Sequence, residues 1–171
     1  MHLILFAPDY FSTLAGWFPT EAALVQWGGP KLRFPLDFFQ MQAMFAGAAS
    51  NPPTRQCWMA AQATLLIGHA QVAFDWRNGN ATLGRVAVAP ALRGQRYAVP
   101  MLRLVIAEAF RHPRIMRLEL NVYPFNSPAI RTYERLEFVY EGTRRSSAVV
   151  GEERWDTMIM AILRSDYRPA T

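Results

Sequence analysis

The stretch Val86-Ala87-Val88-Ala89-Pro90-Ala91-Leu92-Arg93-Gly94-Gln95-Arg96-Tyr97-Ala98 restricts the possible folds of this chain more than any other. It reads as a buried strand, a tight glycine-bearing loop and a helix in immediate succession. Val86 and Val88 are β-branched and alternate with small Ala87 and Ala89, which suits a strand covered on both faces. Pro90 has no N–H to give to a ladder, so the strand stops there. From Ala98 the pattern changes, and Ala98, Met101, Leu102, Val105, Ile106 and Ala109 recur at helical spacing. Such a loop turns several backbone N–H groups toward one point, with the positive end of the helix dipole behind them. That arrangement suits a phosphate, and Arg93 and Arg96 add charge at the same place. On these residues alone an anion site and a plain connecting loop both stay open.

The rest of the chain supplies a frame for this unit. Leu3 to Phe6 reads as a strand and Asp9 to Trp17 as a short helix. Thr20 caps a second helix, with Glu21 favourable at its positive end, and Gly28-Gly29-Pro30 terminates it. Asp37 and Gln40 have capping-box spacing before Phe38, Met41 and Phe45, and Asn51-Pro52-Pro53 breaks that helix. Gln56 to Ala61 and Leu65 to Trp76 read as strands. Asn78-Gly79-Asn80 is a hairpin signal that joins the second of them to Thr82–Ala89. The helix from Ala98 ends at Arg111-His112-Pro113. The strand at Ile115–Tyr123 must then lie parallel to Thr82–Ala89, because a helical crossover joins them. Ser127-Pro128 starts another helix, and Phe138 to Val149 and Arg154 to Leu163 are two further strands. No linker or repeat interrupts the order, so residues 1–171 read as one α/β domain.

Composition narrows the partners. The 171 residues are 51% hydrophobic and 18% charged, as in a globular protein. No apolar run is long enough to span a membrane. The opening Met1 to Pro8 lacks a basic leader and reads as a first strand, not a signal peptide. Cys57 is the only cysteine, which rules out an internal disulfide and suits a reducing cytoplasm. The formal charge is +5, and Lys31 is the only lysine. The arginines are scattered and form no basic run, which argues against a nucleic-acid track. No metal-ligand cluster and no Ser/His/Asp set stands out.

Two stretches in order carry a family resemblance. Val86 to Ala98 resembles the V-x-V-x-P-x-x-R-G-x-G-x-G/A segment of the GNAT superfamily of N-acetyltransferases, and Asn126 to Phe138 resembles its N-x-x-A-x-x-x-Y-x-x-x-G-F segment. With the flanking strands the resemblance covers roughly Leu65 to Leu163. The long N-terminal part, Trp27 to Pro30 and the tail from Glu141 look most like the branch of the ribosomal-protein alanine N-acetyltransferases. The resemblance implies a mixed sheet of about seven strands, with an antiparallel N-terminal meander, a splayed parallel central pair and helices on both faces. It also implies direct transfer of the acetyl group of acetyl-coenzyme A to a primary amine, on a protein N-terminus or a small molecule. Neither nucleic acid nor membrane is expected as a partner, and the assembly is a monomer or a homodimer.

The same resemblance assigns residues. Splaying frees backbone groups of Val86, Ala87 and Val88 for the pantetheine arm, with an amide near Val88 for the thioester oxygen. Arg93, Gly94, Gln95, Arg96, Tyr97, Ala98 and Val99 cradle the pyrophosphate. Arg96 stands where the family has its second Gly, and costs about 1 kcal/mol if the position has positive φ. Tyr133 matches the proton donor to the coenzyme sulfur, and Asn126 the ligand of the pantetheine. Read from the helix pattern alone, Tyr133 is a core residue beside Ile130 and Leu136, and Asn126 a helix-entry residue. Glu137 replaces the Gly of the second motif. Glu119 is the first candidate for the base, against a strand charge paired with an Arg, and His69 is a weaker candidate. Asn121 occupies the position of a Glu in some of the alanine N-acetyltransferases, cannot act as a base, and is expected to touch substrate. Asp156 could bind a cationic acceptor. Trp17, Trp27 and Phe34 line the acceptor cleft, or else pack over the sheet. A non-catalytic acyl-coenzyme A sensor would keep the loop and need neither acid nor base.

Overall fold

The computed structural model of the chain describes residues 1–169. It has a seven-stranded sheet in the order β1-β2-β3-β4-β5-β7-β6. The strands are β1 (His2–Leu5), β2 (Arg55–Gln62), β3 (Leu65–Asp75), β4 (Asn80–Val88), β5 (Arg117–Val122), β6 (Val139–Val150) and β7 (Glu153–Leu163). The helices are α1 (Phe11–Ala15), α2 (Glu21–Gly28), α3 (Phe38–Phe45), α4 (Ala98–Arg111) and α5 (Ser127–Glu134). β2 to β4 form the expected antiparallel meander, β1 adds to it antiparallel to β2, and among the described residues only β4 and β5 pair in parallel.

Alternation along the strands separates two cores. Ile67, Val72, Leu83, Leu118, Leu120 and Val122 point to the face covered by α4 and α5, where Met101, Leu102, Val105 and Ile106 meet them. Cys57, Met59, Ala87 and Ala89 point to the other face, where Phe6, Leu14, Trp17, Phe18, Leu24 and Trp27 cover them. The N-terminal helices cover only the β1–β4 half of that second face. Arg117, Glu119 and Asn121 of β5 alternate with the buried Leu118, Leu120 and Val122 and share the second face beside that half.

Two features position a site. The parallel ladder of β4 and β5 runs only from Asn80↔Arg117 to Leu83↔Leu120. Beyond it β4 continues to Val88 on β3 alone, while Asn121 and Val122 stay paired to β7. The two strands therefore part at Leu83. A β-bulge lies at the same place: His69 pairs with Ala87 and Gln71 with Gly84, so Arg85 and Val86 together face one residue of β3. Arg85 sits at φ 50°. A bulge there bends β4 away from β5 and inserts an extra side chain.

Three readings need adjustment. Asp9–Trp17 is a single 3₁₀ turn at Pro8–Tyr10 followed by the short α1. α3 ends at Phe45, well before Asn51, because Ala46 turns extended and Gly47 takes φ 90°. The parallel strand, Arg117–Val122, is shorter than Ile115–Tyr123: Ile115 bonds back to His112 in the preceding turn, and Met116 bonds Gly79 and Arg164 just ahead of the first ladder pair.

Candidate active site

The loop after β4 presents free donors. Gly94 and Arg96 adopt φ 79° and 64°, which folds the loop back over the first turn of α4. No protein acceptor among the described residues meets the N–H of Gly94, Arg96, Tyr97, Ala98 or Val99. α4 has no side-chain cap, and its first backbone bond is Met101 N–H to the Tyr97 carbonyl at 3.2 Å. Pro100 removes one further orphan donor at no cost in the first turn. These N–H groups converge at the positive end of a 14-residue helix, where an anion is stabilised.

A cavity of about 480 Å³ opens beside them, lined by Arg96, Ala98, Val99, Pro100, Arg103, Thr132 and Arg135. Its three guanidinium groups have no carboxylate partner among the described residues. Of these, Arg96, Ala98 and Val99 are among the residues named from the sequence, and Arg103, Thr132 and Arg135 are not. The signal for Arg103 was present: it lies four residues after Val99, on the same helix face. Thr132 and Arg135 are brought in only by the packing of α5 against α4.

The other loop residues have local tasks. Arg93 turns back to the strand, its Nε donating to the Val88 carbonyl at 3.3 Å. Gln95 closes on the Ala91 carbonyl at 3.0 Å. In the strand, the Ala89 N–H bonds Ile67 of β3 at 2.9 Å. By alternation the polar groups of Val88 therefore point away from β3, toward the gap where β5 has left.

At the far side of the gap, Asn126 opens α5, its side chain accepting the Ala129 N–H at 3.4 Å. Its amide nitrogen has no partner among the described residues. Tyr133 is 7% exposed in the first core, edge-on to Phe138 with ring centroids 5.8 Å apart. Burial raises its phenol above the usual value, so the hydroxyl is protonated at any working pH. No described residue accepts or donates a hydrogen bond at that hydroxyl. Glu137, the second departure from the family pattern, adopts φ 68°.

The candidate base and acceptor residues are already engaged. Glu119 is ion-paired to Arg117 Nε at 3.1 Å, and Arg117 also holds Glu141. Asn121 accepts from Arg144 Nη2 at 2.7 Å. Asp156 accepts the Ser146 N–H at 2.7 Å and so braces the bulge in β6. Trp17 and Trp27 are each 8% exposed in the second core, and packing accounts for both. Phe34 stands out at 45% exposure. His69 is fully buried. Its Nδ1 lies 2.8 Å from the Arg85 carbonyl, which can only accept, so Nδ1 carries the proton and Nε2 is a bare acceptor. Burial lowers its pKa to about 4, which makes it a weak base.

The family model described as the acetyltransferase (GNAT) family matches residues 20–138. The chain belongs to the GNAT acetyltransferase family. It is 30% identical over 95 residues to an SPbeta prophage-derived uncharacterized N-acetyltransferase, YokL, of Bacillus subtilis (strain 168). That alignment takes in 55% of this chain and 54% of the relative, so the chain spans about half the length of the curated relative it matches. Among solved structures it resembles a spermidine N-acetyltransferase from Vibrio cholerae, in complex with CoA and spermine. The TM-score is 0.81 and the identity 16%, over 97% of this chain and 96% of that one. It also resembles a ribosomal-protein-alanine N-acetyltransferase from Brucella melitensis. There the TM-score is 0.78 and the identity 16%, over 95% and 99% of the two chains. At these identities the likeness is one of fold, and the GNAT fold predicted from the two motifs is the fold observed. Among the described residues no helix is long and apolar enough to cross a membrane.

Proposed function

We propose that this GNAT chain is a cytoplasmic N-acetyltransferase, a monomer or homodimer, that moves the acetyl group of acetyl-coenzyme A onto a primary amine. The observation that carries this reading is the free-donor loop at the start of α4, set beside a cavity with three unpaired guanidinium groups. The cofactor would supply an activated thioester and a thiolate leaving group. The N–H groups of Gly94 and Arg96 to Val99 would hold its pyrophosphate. Arg96, Arg103 and Arg135 would hold its phosphates from the side. Polar backbone of Val86 and the Val88 N–H, freed by the parting of β4 from β5, would take the pantetheine arm, with the free amide nitrogen of Asn126 opposite, whereas the backbone groups of Ala87 face β3. A Val88 N–H pointed into the gap would stabilise negative charge on the reacting carbonyl oxygen. Tyr133 would hold a proton for the departing sulfur.

Acetyl-coenzyme A is expected to raise the melting temperature. A ligand that binds only the native state adds about 2.7 kcal/mol at a hundredfold excess over its dissociation constant. An unchanged thermal transition at millimolar acetyl-coenzyme A counts decisively against the proposal. A sensor that binds acyl-coenzyme A without turnover is the second reading. The ion pair of Glu119 with Arg117 favours it, because it leaves no free carboxylate on that strand. Release of free thiol with an amine panel separates the two readings.

Arg96→Gly has two effects of opposite sign. Glycine relieves the positive φ and should stabilise the empty protein by about 1 kcal/mol. The lost guanidinium should weaken coenzyme A about tenfold or more, and pantetheine hardly at all. Equal losses for both ligands would show that the side chain does not read phosphate.

A further inference from the structure

Arg85 is a half-buried cation without an anion. Its Nη1 donates to Gln71 Oε1 at 2.7 Å, and its Nε is buried with no partner. No carboxylate lies within ion-pair distance of it among the described residues. The charge that acts on it most is that of Arg55, a second cation. Arg55 has a structural task, donating to the Ala43 and Met44 carbonyls at the end of α3. Arg85 has none of that kind. A desolvated charge is costly unless paired, so proteins seldom leave one without a reason.

Its place supplies the reason. Arg85 is the inserted residue of the β4 bulge, just past the last β4–β5 pair. Gln71 pairs with Cys57 across the second face, so the Arg85 guanidinium lies on that face, beside the edge of the N-terminal helices. The neighbouring Gly84 has open space where a Cβ would stand. Across the gap, Arg144 reaches Asn121 on the same face. The two acids nearby, Glu119 and Glu141, are both held by Arg117. The wall that flanks the parting strands therefore presents an unpaired guanidinium, and its carboxylates are engaged.

We infer that Arg85 recognises a carboxylate on the acceptor, so that the acceptor is an amine bearing an acidic group and not a polyamine. This rests on the acetyltransferase reading above. Val88 and Arg85 are three residues apart, on the order of 10 Å along a strand. The carboxylate thus stands several bonds from the reacting amine, as in a peptide with an acidic second residue or an ω-amino acid.

The test compares matched probes by thiol release: Ala-Glu-Ala-amide against Ala-Gln-Ala-amide, 6-aminohexanoate against 6-aminohexanamide, and spermidine alone. The acidic member of a pair should show kcat/KM about 10- to 100-fold above its amide, the range of a hydrogen-bonded charge. Arg85→Gln should bring the two members within about twofold, through KM, while acetyl-coenzyme A binding stays at the wild-type value. Arg85→Lys should restore part of the preference. If Arg85→Gln does not fold, the wild-type comparison decides. Equal or better use of the amides or of spermidine overturns the inference, as does failure of every acidic probe at millimolar concentration while acetyl-coenzyme A still binds. Loss of acetyl-coenzyme A binding in the wild type would instead sink the acetyltransferase reading itself.

Discussion

Replacing Tyr133 with phenylalanine is expected to lower kcat about 10²–10⁴-fold, the usual contribution of a positioned general acid. The structure makes this a clean substitution. The ring packs in the core against Phe138 and stays in place. The hydroxyl bonds no described residue, so its removal costs the fold no protein hydrogen bond. Stability should change by less than about 1 kcal/mol. Affinity for acetyl-coenzyme A should hold, because only a proton carried to the leaving sulfur is lost. Burial keeps the phenol protonated, so the wild-type rate should show no loss from phenol ionisation across neutral pH. If Tyr133 serves only the core, kcat stays within a small factor, and a variant at wild-type turnover removes Tyr133 from the mechanism. A sensor has no kcat to lose.

How much of this was legible follows from what each residue depends on. The strand-loop-helix unit was readable because Pro90, Gly94 and the helical repeat from Ala98 act locally. The caps were readable for the same reason: Thr20 accepts the Ala23 N–H at 3.2 Å, and Asp37 the Gln40 N–H at 2.8 Å. The hairpin at Asn78-Gly79 also held, with Asp75 accepting the Arg77 and Asn78 N–H groups. The parallel pairing of β4 and β5 followed from the crossover rule. The insertion of β7 between β5 and β6 did not show, since hydrophobic alternation is the same in either order. Nor was the bulge at Arg85 read, although Gly84 inside the strand is a bulge signal, because the positive φ falls on the arginine that follows it. Of the candidate site, the loop and its helix were visible and the cavity wall from α5 was not. The fate of Glu119 depended on Arg117 and Glu141, which only the sheet brings together.

The departures from the family pattern were visible as letters but not as conformations. Arg96 and Glu137 replace glycines, and both backbones adopt the left-handed region all the same. The chain thus accepts strain at two motif positions. At Arg96 the side chain faces the cavity, where a phosphate can offset the cost. Glu137 lines a separate cavity of about 550 Å³ with Glu134, Asp166 and Arg168, to which no residue of α4 contributes.

Acid is expected to destabilise the protein through His69. Its folded pKa is lowered to about 4 by burial, against an ordinary value of 6.5. Between these values the unfolded chain binds a proton that the native state refuses. The stability is therefore complete above pH 6.5 and is lost as pH falls toward 4, by roughly 3 kcal/mol in all. His112 is shifted in the same direction. The lowered Asp75 and Glu141 carboxylates lose their contribution in the same direction, starting only at the acid end of this window and continuing below it. The cause is plain in the packing: the ring sits between Phe6 and Trp27, with centroids 5.1 and 5.6 Å away, and its Nε2 has no partner. Protonation would place a fully buried cation beside the half-buried Arg85, whose carbonyl His69 already holds. Urea unfolding at pH 7 and pH 4.5 should show most of that loss. His69→Gln should flatten the dependence, leaving the share of His112. Imidazole NMR assigns the effect to its residue, because His69 must stay neutral in the folded protein down to about pH 5. A His69 ring that titrates near 6.5 in the native state would show that the second core admits water, and the predicted loss of stability would vanish with it.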